Sequence, residues 1–390
     1  MANILYISKY PPIEGGIAAK TYWLAKALAG RGHIIHVVTD AYGVDEQYSI
    51  ANAGSAPEMP GVFVYRADQE VPWHIPNDSH RAISLLDKTL EIVETTKPDL
   101  IVGGYLVPYG IMAFQLSRLT GIPFVLMHGG SDIHKFLLKD VWPNVTARAI
   151  CAAHCVVTDV DNLAHIARYT DRIEVLPPYV PDPSAFKPTR RKKKEFLTLA
   201  LVGKTNYHWR HKGWQRVINI CSDLGGRLEL AVVSQGIGRD DFRSYVPKAL
   251  RDRIDWRPFV PSWEMPALLH SFDGIFHLND QLPFPMFSNL VLESLACGTP
   301  VITDSTGLPS SYLRHGIDVE TAAPAIFPLV LEDCKAATTD LAGHLAMHES
   351  SNVFWDCMPA FDRYVASIEK VFLHTIQKQV PLGNRCEEFC

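Results

Sequence analysis

Positive charge is in short supply. Lys and Arg number 37 against 42 Asp and Glu, a formal net charge of −5, so no global basic field favours a nucleic-acid partner. A disordered chain is excluded as well, because 47% of the 390 residues are hydrophobic and 20% charged. Long apolar runs are missing. The best of them, residues 100–114, contains Gly103-Gly104, Pro108 and Gly110 and is short for a bilayer crossing; a buried strand, a loop and a helix start are expected there. The opening residues, Met1 to Lys9, carry no basic segment ahead of their apolar stretch. They read as a first strand and not as a signal peptide, with a cytoplasmic protein as the expectation.

There are eight cysteines. Cys151, Cys155, Cys221, Cys297, Cys334, Cys357, Cys386 and Cys390 are expected to be free thiols in a reducing compartment. Cys151 and Cys155 stand four apart, but no second Cys/His pair has zinc spacing, so no metal is expected. There is no fixed-period repeat. The turn after the first strand lacks G-x-G-x-x-G, which removes support for a nicotinamide site.

What is present is strand–helix alternation. Ile4-Leu5-Tyr6-Ile7 reads as a strand, Gly15-Gly16 as a turn into a helix that closes at Gly30 and Gly32. Strands are expected at Ile34–Val38, Leu100–Val102, Phe124–Met127, Cys155–Thr158 and Ile173–Leu176, with helices near Arg81–Thr95 and Ile111–Thr120. Continuous apolar strands alternating with helices imply a parallel sheet covered on both faces. The stretch Tyr42–Trp73 reads as a long loop whose Tyr48, Tyr65 and Trp73 offer aromatic faces to an acceptor, with His74 and His80 close behind. Pro177-Pro178, Pro181, Pro183 and Pro188, followed by the cations of residues 190–194, mark a domain boundary. That basic run is a solvated linker or a contact for anionic lipid.

The pattern then restarts, with strands at Phe196–Val202, Leu228–Val233, Ile254–Trp256, Gly274–Leu278 and Pro300–Thr303, and helices near Gly213–Leu224 and Ser288–Cys297. The expected domains are residues 1–188 and 189–360, a helix over 361–378 that returns to the first domain, and a tail over 379–390. In such sheets ligands bind beyond the carboxyl ends of the strands. Four clusters fall there. Gly15-Gly16 lets backbone approach a ligand closely. His128-Gly129-Gly130-Ser131-Asp132 suits a sugar-facing wall or, equally, a histidine satisfied within a buried loop. Lys204 and Lys212 are point charges suited to a diphosphate or else solvated surface lysines; Arg210 and His211 add to that loop's basic character. The helix beginning near Ser288 presents free N–H groups, and Glu293 lies among apolar residues, where a carboxylate needs partners.

Tyr10-Pro11-Pro12, Gly15-Gly16-Ile17-Ala18 and Arg31-Gly32-His33, with His128-Gly129, Gly203-Lys204, His211-Lys212-Gly213 and Glu293 through Val301, together resemble the retaining GT-B glycosyltransferases of the family 4 type. The resemblance implies an α/β GT-B fold, two Rossmann-like parallel-sheet domains facing a cleft, that moves a sugar from a nucleotide-diphosphate sugar. It implies that Gly15 and Gly16 approach the donor, His128 sits beside the transferred sugar, and Asp132 and Tyr105 support that loop or the acceptor. Lys204 and Lys212 would hold the diphosphate; Phe259 and Val260 would flank the base. Phe287, Ser288 and Asn289 would meet the donor, and Glu293 would bind the ribose. Neither a metal nor another cofactor is implied, and the acceptor is a glycan, a lipid-linked sugar or a small molecule.

The chain departs from the family pattern at Pro285, where the first glutamate of the two-glutamate motif is expected, at Lys204 in place of arginine, and at Thr306-Gly307. Asp280 is the available carboxylate on the same loop. These departures leave open an accessory protein without transfer activity, or a nucleotide-sugar epimerase. Trp23, Lys26 and the basic run keep a lipid-linked acceptor at a membrane surface among the alternatives.

Overall fold

The computed structural model describes residues 1–39, 50, 56–67, 79–139, 141–189, 197–205, 209–224, 228–278, 288–303, 329–330 and 351–378. The chain divides into two compact units. One comprises Met1–Ser49, Gly54–Tyr179 and Asp362–Cys390; the other comprises Ile50–Ala53 and Val180–Phe361.

In the first unit, strands β1 (Asn3–Ile7), β2 (Ile34–Thr39), β3 (Val62–Arg66), β4 (Leu100–Gly103), β5 (Phe124–Met127), β6 (Cys155–Thr158) and β7 (Ile173–Val175) form a parallel sheet. Their order is β3-β2-β1-β4-β5-β6-β7. Every residue of β4 and β5 is buried, which explains their unbroken apolar sequences: both faces are covered. Strand β3 was not expected. It lies within the stretch read as a loop, and as an edge strand it leaves Phe63 and Val64 exposed. The sequence order runs one way from β1 to β3 and the other way from β4 onward. The switch point lies between the carboxyl ends of β1 and β4, where such sheets form a crevice. Gly103 permits close packing there, because a Cβ on it would stand 2.7 Å from the Gly110 Cα.

Helix α1 (Gly16–Gly30) follows β1 and α2 (Ser79–Thr96) precedes β4. Helix α3 (Ile111–Thr120) leads into β5, while α4 (Pro143–Ala152) and α5 (Val160–Ile166) flank β6. The core between them gathers Leu5, Ile101, Leu116, Phe124, Leu126 and Ile150, each at most 2% exposed.

The second unit repeats the plan. Strands β8 (Leu197–Lys204), β9 (Leu228–Gln235), β10 (Asp255–Arg257), β11 (Gly274–His277), β12 (Val301–Thr303) and β13 (Leu329–Val330) pair in parallel in the order β10-β9-β8-β11-β12-β13. Helix α6 (Trp214–Leu224) buries Trp214, Val217 and Ile218 against this sheet. Helices α7 (Arg239–Tyr245), α8 (Lys248–Arg251), α9 (Met265–His270), α10 (Asn289–Ala296) and α11 (Ser351–Cys357) complete the described α-helices of this unit.

The final helix, α12 (Phe361–Lys378), packs with the first unit. It buries Tyr364, Val365, Ile368, Val371, Phe372 and Thr375, one face of a 3.6-residue period. Glu369 anchors it. One carboxylate oxygen accepts from Arg31 Nη1 at 3.0 Å, and the other lies 2.9 Å from His33 Nε2. Arg31 also donates to the Asp362 carbonyl. Glu369→Ala strips both partners and is expected to cost about 1–2 kcal/mol. A lower urea midpoint for the first unit checks this; an unchanged midpoint would show the pair to be solvent-screened and inert.

Among the described residues no helix is long and apolar enough to cross a membrane. Cys151, Cys155, Cys221, Cys297 and Cys357 are free thiols.

Candidate active site

The carboxyl ends of β1, β4, β5 and β6 bring several sequence-predicted residues together in the first unit. Gly15 has φ +114°, a conformation that favours glycine, and its carbonyl accepts from Ala19 N as α1 begins at Gly16. Gly129 packs against that turn. A Cβ on it would stand 2.6 Å from Ile17 Cδ1 and 3.2 Å from the Tyr105 ring. Tyr105 in turn shares a 3.0 Å hydrogen bond with the Ser131 hydroxyl.

Asp132 is fully buried and ties this loop down. Its Oδ2 accepts from Leu106 N at 2.7 Å; its Oδ1 accepts from Gly129 N at 3.0 Å and Ile133 N at 3.2 Å. One carboxylate thus fixes the loop after β5 to the turn after β4.

His128 is also buried, and both ring nitrogens are engaged. Nδ1 accepts from Gly130 N at 3.1 Å, so the proton of the neutral ring sits on Nε2, which donates to Thr158 Oγ1 at 2.7 Å. Burial pushes its pKa down to about 4, with Asp132 opposing and the Lys20 cation adding to the fall. The imidazole is therefore held neutral as part of the wall.

A pH dependence follows. The folded chain binds the His128 proton only near pH 4, whereas the unfolded chain binds it near 6.5. Between these values the unfolded state holds more protons, so stability rises with pH and is lost as pH falls from 6.5 towards 4. The slope is at most about 1.4 kcal/mol per pH unit. Urea midpoints at pH 7 and pH 5 should differ less in His128→Gln than in the wild type. Equal differences would assign the acid sensitivity to other groups.

Lys20 escaped the sequence reading. It is 7% exposed, and its ammonium donates to the His128 carbonyl at 3.4 Å. Burial draws its pKa down to about 8, against the pull of Asp132 and Asp159. A signal was present: Lys20 falls three residues after Ile17 and four before Leu24, on the apolar face of α1. Asp159 caps α5, accepting from Asn162 N at 2.9 Å.

The acceptor candidates fare unevenly. Tyr65 lies on β3 and pairs with His36, its hydroxyl 3.1 Å from Nδ1. Trp23 is buried, with Lys26 Nζ 4.9 Å from its ring centroid, which removes it as a lipid-facing aromatic. Tyr48, Trp73, His74, the side chain of His80 and the basic run at 190–194 lie outside the described residues.

In the second unit the two lysines meet. Lys204 ends β8 and does not sit in the loop beyond it, as β8 and β9 remain paired out to Lys204 and Gln235. Lys212 Nζ donates to the Lys204 carbonyl at 2.8 Å. A Cβ on Gly203 would stand 3.7 Å from that ammonium. Arg210 is committed elsewhere. It pairs with Asp241 at 2.9 Å and lies 4.4 Å from the Trp209 ring centroid, so its charge is shared with a carboxylate.

Phe259 and Val260 are half-buried just after β10. Ser288 precedes α10 in an extended conformation without a side-chain cap, and α10 starts at Asn289. Glu293 is 4% exposed on that helix. Asp280, Pro285, Phe287 and Thr306-Gly307 lie outside the described residues. Among the described residues no group of three or more His, Cys, Asp or Glu could hold a metal ion.

Residues 15–178 match the model of a glycosyl transferase 4-like domain. The D-inositol 3-phosphate glycosyltransferase of Paenarthrobacter aurescens is 26% identical over 383 residues, covering 87% of this chain and 90% of that protein. Among the solved structures that share the fold are the following two. Sucrose-phosphate synthase from Thermosynechococcus elongatus superimposes with a TM-score of 0.69 at 16% identity, covering 97% of this chain and all of the other. Anabaena Alr3699/HepE in complex with UDP-glucose gives 0.61 at 14% identity, with 97% and 100% covered. The two parallel-sheet α/β domains are those of the GT-B fold.

Proposed function

We propose that this chain, which carries a glycosyl transferase 4-like domain over residues 15–178 and has the GT-B fold, transfers a sugar from a nucleotide-diphosphate sugar to a hydroxyl acceptor, with retention at the anomeric carbon. The observation that carries this is the Lys212 ammonium held at the carboxyl end of β8 by the Lys204 carbonyl, 2.8 Å away. It fixes positive charge where open parallel sheets bind phosphates. In this reading Lys204 and Lys212 take the diphosphate, and the N–H groups at the start of α10, from Ser288 and Asn289, add to them. Charge that develops on the departing nucleoside diphosphate meets groups already oriented towards it. Those groups supply what a metal would, so the reaction proceeds without one.

Glu293 binds the ribose hydroxyls, and Phe259 and Val260 flank the base. Gly15, Gly16 and His128 line the path of the sugar. Tyr105 and Asp132 hold that wall in place. The curated relative acts on an inositol phosphate by its name; a small phosphorylated polyol is accordingly the first acceptor to try, before glycans and lipid-linked sugars.

A thermal-stability panel with UDP, GDP, ADP, dTDP and their hexose conjugates tests the donor half. A ligand at a hundredfold excess over its Kd stabilises the folded chain by about 2.7 kcal/mol. Transfer to the polyol phosphate from the donor so identified tests the rest. A folded sample that responds to no nucleotide and transfers no sugar would overturn the proposal.

A further inference from the structure

Lys20 is the buried cation of the first unit's wall. The buried residues of α1 nearest to it around the helix are Trp23, Leu24 and Leu28, and an apolar side chain in its place would pack without the penalty of burying charge. Instead its ammonium reaches the His128 carbonyl, and Asp132 and Asp159 act on it through space. These two carboxylates come from different elements. Asp132 belongs to the loop after β5, and Asp159 follows β6 and caps α5. The His128 ring bridges the same elements through Thr158. Lys20 thus stands where α1, the His128 loop and the β6–α5 junction converge.

We infer that Lys20 is a positioning residue for sugar transfer: its buried ammonium, bonded to the His128 carbonyl, holds the His128–Asp132 turn in the shape that receives the sugar. The inference rests on the glycosyltransferase reading. Nucleotide recognition is assigned there to the second unit, so Lys20 should govern the chemical step and not nucleotide affinity. A displacement of a positioned loop by about 1 Å costs on the order of a hundredfold in rate. The charged and titratable groups facing this point are His128, Asp132 and Asp159.

The experiment compares the wild type with Lys20→Met, which keeps the stem and removes the charge, and Lys20→Arg, which keeps the charge. Histidine labelled with 13C reports the His128 titration, assigned through His128→Gln. Loss of the neighbouring cation should move that titration to higher pH in Lys20→Met by half a unit or more and leave it in place in Lys20→Arg. Transfer from the donor found in the nucleotide panel should fall at least tenfold in kcat for Lys20→Met. The Kd for its nucleoside diphosphate should stay within twofold.

An unchanged His128 titration in folded Lys20→Met would overturn the inference, as would unchanged kcat. Wild-type protein that transfers no sugar would instead overturn the glycosyltransferase reading, while the titration still decides whether the Lys20 ammonium sits beside His128. Should Lys20→Met not fold, 13Cε-lysine spectra of the wild type decide, with assignment through Lys20→Arg. One lysine titrating near pH 8 supports the buried placement; all lysines titrating above pH 9.5 would refute it.

Discussion

Lys212→Ala should weaken binding of the nucleoside diphosphate about ten- to hundredfold and leave binding of the parent nucleoside unchanged. A charge-assisted hydrogen bond contributes roughly 1.5–3 kcal/mol, and each 1.4 kcal/mol is a factor of ten. The ammonium is already fixed by the Lys204 carbonyl, so little side-chain entropy is lost on binding and most of the interaction appears as affinity. Glu293→Gln should do the reverse. It weakens nucleoside and diphosphate by the same factor, because the ribose is common to both. Isothermal titration of each variant with the nucleotide and its nucleoside separates the two effects. Equal losses for both ligands in Lys212→Ala would place Lys212 away from the phosphates. It would then be a strut for the end of β8.

The difference between these lysines and Lys20 shows which parts of a site a sequence discloses. Strands such as β4 and β5 were legible because burial on both faces forces an unbroken apolar run. Strand β3 was not, since an edge strand has a single neighbour and leaves Phe63 and Val64 exposed. It sits in a stretch whose polar residues resemble a loop. Glu293 was legible as a carboxylate inside an apolar helix, and it is buried. Lys20 showed the same local anomaly in a helix of equal clarity. Its meaning depends on Asp132 and Asp159 more than a hundred residues away, which no local window contains. Arg210 misled in the opposite direction. Its sequence neighbours make a basic loop, but Asp241 arrives across space to share its charge. Local pattern fixes which residues are buried, while pairing among charges is decided by the fold.

Asp132→Ala should be strongly damaging to the first unit, lowering its stability by about 3–5 kcal/mol. Two carboxylate oxygens take the amides of Leu106, Gly129 and Ile133, and alanine leaves the buried amides of Leu106 and Ile133 and the part-buried amide of Gly129 without that acceptor. The same substitution removes one of the two carboxylates that favour the Lys20 cation, so the loss exceeds that of the hydrogen bonds alone. Asp132→Asn separates the contributions. Its single amide oxygen can keep one side of the junction while its NH2 group faces the other side's N–H, and the negative charge is gone. Asparagine is therefore expected to recover no more than about half of the lost stability. Amide hydrogen exchange at Leu106 and Gly129 reads the local effect, and urea unfolding reads the global one. If Asp132→Ala unfolds at the wild-type midpoint, with both amides still protected, the loop is held by its packing between Ile17 and Tyr105. The carboxylate would then be free for a direct role towards the sugar, and the supporting role assigned to it here would fall.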